Sequence, residues 1–206
     1  MQSSIELIKN SIQRDLKFAN ISNKKISLIE WKAPGSFKNY LLDMNIIREN
    51  KINDVFFQIN KLGMKIVYIR KNSIIFIIGA EDKIQYQLLE ALLEEIIKRF
   101  FENDDLIKKI HFENITSDAF KSFKHDIDDI VFKFANMDLV KIIDVPCKIC
   151  KKPFPLVVKK RIVEEATSFP VHVVCIHNGH PLVCYVDKDF NVRGTGLVNF
   201  TGQIVS

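Results

Sequence analysis

The sequence predicts an α+β protein, with an antiparallel sheet packed with helices over about residues 1–143 and a small β-rich domain over residues 144–206. Three observations carry this reading. Leu88, Leu89, Leu92, Leu93, Ile96, Ile97, Phe100 and Phe101 recur every three to four residues, the period of a helix that buries one broad face. Residues 64–70 and 73–79 are β-branched runs joined at Lys71-Asn72, where asparagine tolerates the positive φ of a tight hairpin. Asn178-Gly179, between apolar runs at 169–176 and 181–185, is the strongest short hairpin signal in the chain.

The elements follow in order. Over residues 3–18, Ile5, Ile8, Ile12 and Leu16 fall at helical spacing, with Ser3 and Glu6 as a capping box. Residues 25–31 alternate as a strand does, and Pro34-Gly35 marks a turn after them. Residues 37–47 are expected to return as a second strand. Ile52, Val55, Phe56, Ile59 and Leu62 lie on one stripe that stops at Gly63, which predicts a helix over 53–62. The long amphipathic helix then spans about 83–101. A further helix spans 117–134, with Phe120, Phe123, Ile127, Ile130, Val131 and Phe134 as its apolar stripe and Thr116 or Ser117 as its cap.

The character of the sequence changes at Asp144-Val145-Pro146. Three of the six prolines fall between Pro146 and Pro155, so a linker or irregular loop is expected to lead into the second domain. A short helix over 159–168, the hairpin around Asn178-Gly179, a turn at 187–191 and a third strand over 192–200 complete it. At about 60 residues such a domain is near the lower limit for an independent core, and a metal would relieve that shortage.

A chain of 206 residues with 47% hydrophobic content has ample material for packed cores, and its net charge of +5 is scattered rather than gathered on one face. Apolar runs are interrupted by charges well before the ~20 residues of a membrane span, and the N-terminus does not read as a signal peptide. A cytosolic protein is expected, so the four cysteines read as thiols or metal ligands rather than disulfides. The heavy use of Ile, Lys and Asn with seven glycines reads as the coding bias of an AT-rich prokaryotic genome, and an archaeal source is expected.

The residues KIVYIRKNSIIFIIGAED, followed by LLEALLEEIIKRFFENDDLIKKIHFENITSDAFKSF, carry a resemblance over about a third of the chain. This pattern resembles the second half of a longin-type domain, the module of small chains of coat adaptors and of subunits of trafficking complexes. The resemblance implies a longin- or roadblock-like docking surface rather than an enzyme. The implied partner is a small GTPase, a second longin-type subunit in a homo- or hetero-dimer, or a peptide, held on a sheet edge or an open helix face. It also implies a third strand in the central meander, of which the residues themselves show two, between Met64 and Gly79.

One constellation could carry chemistry. Cys147-Lys-Ile-Cys150, followed by Lys151-Lys152, has the spacing of a zinc knuckle, in which two thiolates on one turn bind one ion while backbone amides support the sulfurs. The other half of a site is offered by His177-Asn-Gly-His180, because residues flanking a two-residue turn face each other on one side of the ribbon. Register places Cys175, His177, His180 and Cys184 on one hairpin face, with His172, Ile176, Val183 and Tyr185 on the other. The expected set is therefore Cys147, Cys150, His177 and His180 around a structural zinc. Against it stands a plainer reading, in which Cys175 and Cys184 are small hydrophobes, the histidines flank an exposed turn and the knuckle holds no metal. A redox role for Cys147 and Cys150 lacks the helix N-terminus that depresses a thiol pKa.

Other candidates are thinner. Lys148, Lys151, Lys152, Lys159, Lys160 and Arg161 suggest nucleic-acid binding through the knuckle, without interleaved aromatics beyond Phe154. Asp126, Asp128 and Asp129 read as a solvated helix face, and Arg193-Gly194-Thr195-Gly196 as turn chemistry with no helix to receive a phosphate. No Walker motif, nucleophile elbow or H-E-x-x-H occurs, so a catalytic residue set is not expected. A zinc- or thiol-dependent enzyme centred on the four candidate ligands is the alternative function class.

Overall fold

A computed structural model describes residues 4–36, 44–110 and 117–198, in a chain that divides into two units, Met1–Met137 and Asp138–Ser206. The first unit runs α1 (Ser4–Asp15), β1 (Leu16–Ser22), β2 (Ser27–Lys32), α2 (Met44–Glu49), β3 (Phe57–Lys61), β4 (Met64–Lys71), β5 (Ile74–Glu81), α3 (Tyr86–Glu102), α4 (Asp104–Ile110), a 3₁₀ turn (Ser117–Phe120) and α5 (Phe123–Lys133). Its five strands form one antiparallel sheet in the order β2-β1-β5-β4-β3. This is the α+β class that the sequence predicts.

The central strand β5 is buried from Ile74 to Ala80 because both sheet faces are covered. On one face Phe18, Ile66, Tyr68, Ile75 and Ile77 pack with Ile47 of α2. On the other, α3 lies over β4 and β5 and delivers Leu88, Leu89, Leu92, Leu93, Ile96, Ile97 and Phe100 to the core. There Phe100 meets Phe76 and Phe123 edge-on, with ring centroids 5.3 Å apart in both pairs. Gly79 is required by a close approach: a Cβ at that position would sit 2.1 Å from the Phe18 ring, which crosses over it from β1. The β4–β5 hairpin turns at Asn72 and Ser73, with φ of 47° and 66°.

Four expectations are corrected in this unit. The first helix stops at Asp15, and residues 16–22 form β1 in the interior of the sheet. Leu16 continues the apolar spacing of the helix, yet it starts a strand that pairs with β5. The predicted helix over 53–62 is the edge strand β3, which gives the meander its third strand. Its apparent stripe is not a buried one: Ile52, Val55 and Leu62 are 54%, 47% and 92% exposed. The end of the predicted strand 37–47 is the helix α2, and its beginning lies outside the described residues, as do the caps Ser3 and Thr116. The helix expected over 117–134 is divided by a turn at Lys121 and Ser122, and α4 is an additional helix.

The second unit contains β6 (Val140–Pro146), β7 (Pro153–Lys159), α6 (Lys160–Glu164), β8 (Val171–His177), β9 (His180–Val186) and β10 (Val192–Leu197). β6 and β7 form a hairpin, and the other three strands form a sheet in the order β10-β9-β8. The loop expected between Pro146 and Pro155 is thus mostly a β-hairpin. Cys147 N–H donates to Lys152 O at 3.0 Å, so the alternation of the ladder puts the pairs Pro146–Pro153 and Asp144–Pro155 at non-hydrogen-bonded positions. All three prolines therefore lose no ladder bond, and the hairpin tolerates them. No described helix in either unit is long and apolar enough to cross a membrane.

Because α3 carries the longest buried stripe of the first unit, Leu92→Ala or Ile96→Ala is expected to destabilise that unit by about 2–5 kcal/mol. Chemical denaturation of the full chain checks this, and unchanged midpoints in both variants would refute it.

Candidate metal centre

Two hairpin turns build the candidate site. At the β6–β7 turn, Lys151 adopts φ 62° and its N–H donates to Cys147 O at 2.9 Å, which coils the chain tightly around the first cysteine. The backbone N–H groups of Cys150 and Ile149 are thereby aimed at Cys147 Sγ. At the β8–β9 turn, Asn178 and Gly179 take φ of 50° and 78°, the left-handed pair of a two-residue hairpin, and His177 is paired directly with His180. Burial alternates along both strands as the register requires: Val173, Cys175, Leu182, Cys184 and Val186 are buried, while His172, Val174 and Ile176 are exposed.

The two turns bring three of the four expected residues together, with His180 beside Cys147 but outside that group. Cys147, Cys150 and His177 each offer a donor atom, and all three atoms lie within 4.8 Å of one another. His180 joins through Cys147, its Nδ1 lying 3.6 Å from Cys147 Sγ. Zinc–sulfur and zinc–nitrogen bonds of about 2.3 and 2.0–2.1 Å at a tetrahedral angle imply an S···N edge of about 3.6 Å, so this pair already has the spacing that a shared ion would impose. Two sulfurs and the His177 imidazole, with the His180 imidazole beside Cys147, are donors that suit zinc. The ring of Phe154 stacks on His177 with centroids 4.7 Å apart and planes 18° from parallel, which fixes one face of that imidazole.

The electrostatics favour a ligand at Cys147. Burial alone would raise its pKa, but the N–H groups of Cys150 and Ile149 and then the His180 and Cys150 side chains outweigh it, lowering the thiol from 9.0 to about 7. Cys175 moves the other way. Its hydrogen bond with Cys184, followed by burial and by the charges of Cys184 and Cys147, holds it protonated. Cys175 and Cys184 belong to the apolar cluster of Leu156, Val158, Val163, Leu182 and Val186, which suits the small-hydrophobe reading of Cys175, whereas the hydrogen bond from Cys175 pulls the Cys184 thiol pKa down.

The other sequence candidates are dispersed or engaged. Lys148, Lys151 and Lys152 are exposed at the knuckle, whereas Lys159 is buried, Lys160 pairs with Asp138 and Arg161 pairs with Glu165 at 2.8 Å. Asp128, although exposed, accepts a hydrogen bond from Trp31 Nε1 at 2.6 Å and Asp129 pairs with Arg99 at 3.0 Å, so this solvated helix face also ties to β2 and α3. Asp187 Oδ1 accepts from the N–H groups of Asp189 and Asn191, at 2.9 and 2.8 Å, as a turn residue does. Lys151 and Phe154 were not readable as supporting residues. Lysine is not a usual left-handed residue, and the stack on His177 needs the β7 strand that the prolines conceal.

No protein-family model matches the chain, and no curated protein matches it in sequence.

If His180 completes the Cys147, Cys150 and His177 cluster as one tetrahedral site, purified protein is expected to carry about one equivalent of zinc, and chelation is expected to unfold the second unit first. Proton competition gives the pH dependence its sign. The fold favours the Cys147 thiolate, so its stabilising effect is fully present above 9.0 and is lost as pH falls through about 7. Metal should therefore be released on acidification, and Cys147→Ser should reproduce the loss at neutral pH. Metal analysis combined with thermal melts tests this; metal-free protein whose melt ignores chelator would refute it.

Proposed function

We propose that the protein is a non-enzymatic adaptor or complex subunit, with an α+β module that docks a protein partner and a small β module tied by a structural zinc ion. The observation that carries the zinc part is the convergence of Cys147, Cys150 and His177 within 4.8 Å, with His180 Nδ1 3.6 Å from Cys147. With His180 drawn in as the fourth ligand, two from each hairpin turn would make a closed tetrahedral set. Such a set leaves no open position for a water or a substrate, which is the difference between structural and catalytic zinc. The Cys/His cluster thus supports a staple better than a zinc enzyme, and the lowered Cys147 pKa is what a ligand requires.

For the docking module, support comes from the longin-like pattern of residues 64–131 and from β3, the third meander strand that the resemblance implies. The partner class that follows is a small GTPase or a second longin-type subunit. The sheet offers two edges for it, β2 and β3, and the β3 side carries exposed Val55 and Leu62.

Pull-down of the full chain with small GTPases encoded in the same genome is expected to recover a stoichiometric complex, with no intrinsic turnover of nucleotides or esters. Hydrolysis by the purified protein that a single side-chain replacement abolishes would overturn the adaptor reading.

A further inference from the structure

Asn178 is usually sufficiently explained by its turn. Its φ of 50° lies in the left-handed region, which asparagine enters more readily than most residues, and Gly179 follows at 78°. The side chain, however, is engaged as well. Its carboxamide Nδ2 position lies 3.3 Å from Nε2 of His177, the neighbour whose ring is stacked on Phe154 and whose donor atom belongs to the Cys147–Cys150 cluster.

An imidazole has two nitrogens, and a neutral ring protonates only one of them. The nitrogen without hydrogen is the ligand, so the partner of the other nitrogen decides which atom can bind metal. An Asn178 Nδ2–H facing Nε2 makes that nitrogen the acceptor and leaves the ring proton on Nδ1. A carboxamide, however, exchanges its oxygen and nitrogen by a half-turn about its terminal torsion, so Oδ1 can take the same 3.3 Å position and accept a hydrogen bond from Nε2–H, which leaves Nδ1 as the free donor. His180 also turns its Nδ1 toward the sulfur of Cys147, so both histidines of this hairpin would use the same ring atom.

Resting on the four-donor reading above, we propose that Asn178 is a positioning residue of the metal site: its carboxamide oxygen holds His177 in the Nε2–H tautomer and leaves Nδ1 as the zinc ligand. Phe154 restrains the face of the same ring, so the imidazole is held both in its plane and at its edge. The Asn-Gly dipeptide thereby has two separate tasks, the turn that pairs His177 with His180 and the proton placement on one of them.

Two substitutions separate these tasks. Asn178→Gly keeps the left-handed turn but removes the carboxamide, whereas Asn178→Asp keeps both positive φ and an acceptor for Nε2–H. Zinc affinity of the full chain, measured by competition with a chromophoric chelator, should fall tenfold to hundredfold in Asn178→Gly and stay within about threefold of wild type in Asn178→Asp. Long-range ¹H–¹⁵N correlation spectra of the cadmium-113-loaded wild type should show His177 protonated at Nε2 and cadmium-coupled at Nδ1. Wild-type affinity in Asn178→Gly, or cadmium coupling at Nε2 of His177, would overturn the role of Asn178 while leaving the four-ligand site standing. A wild-type chain that takes up neither zinc nor cadmium would remove the site itself and this inference with it.

Discussion

The register of β8 against β9 is the constraint on which the second unit depends. A two-residue turn admits one pairing, His177 with His180, and the period of two then assigns every later side chain to a face. Val173, Cys175, Leu182, Cys184 and Val186 fall inward, where they meet Leu156 and Val158 of the first hairpin. A slip of β8 by one residue would send His177 and Cys175 to solvent and bring His172, Val174 and Ile176 into the core. The same register that makes the core therefore also makes the site, because the two histidines stand at the end of the inward row.

The first unit is held by a different device, a central strand with both faces covered. β5 is apolar from Ile74 to Ile78 without alternation, as suits a strand flanked by two neighbours and packed above and below. Near this core Asn20 Oδ1, Ser22 Oγ and Arg48 Nε are buried without a hydrogen-bond partner, whereas two other polar side chains are satisfied locally. Arg70 is 5% exposed and donates to the carbonyls of Asn50 at 2.8 Å and Arg48 at 2.7 Å, anchoring the end of α2. Trp31 and Asp128 tie β2 to α5 in the same way, with the indole N–H meeting a carboxylate.

What could be read from sequence follows from how local each signal is. The α3 stripe was legible because eight apolar side chains share one period, and the β4–β5 and β8–β9 hairpins because their turns have a stereochemical requirement that few residues meet. The grouping of Cys147 and Cys150 with His177 was legible through that same turn chemistry, whereas His180 approaches Cys147 without joining the group. β1 and β3 were not, since apolar spacing over a few residues fits a helix and a strand alike, and the pairing partner that decides between them is remote in sequence. β6 and β7 were hidden by prolines, whose cost depends on ladder parity rather than on composition. The support given to His177 by Phe154 was hidden with them, because it exists only once that hairpin is formed.

The central claim is that two hairpin turns close one S₂N₂ metal site with Cys147, Cys150, His177 and His180. X-ray absorption at the zinc edge of metal-loaded full-length protein tests it most directly, since it counts ligand types around the ion. The account predicts two sulfurs at about 2.3 Å and two imidazole nitrogens at about 2.0–2.1 Å. A shell of four sulfurs, drawing in Cys175 and Cys184, or a shell of light atoms alone would contradict it.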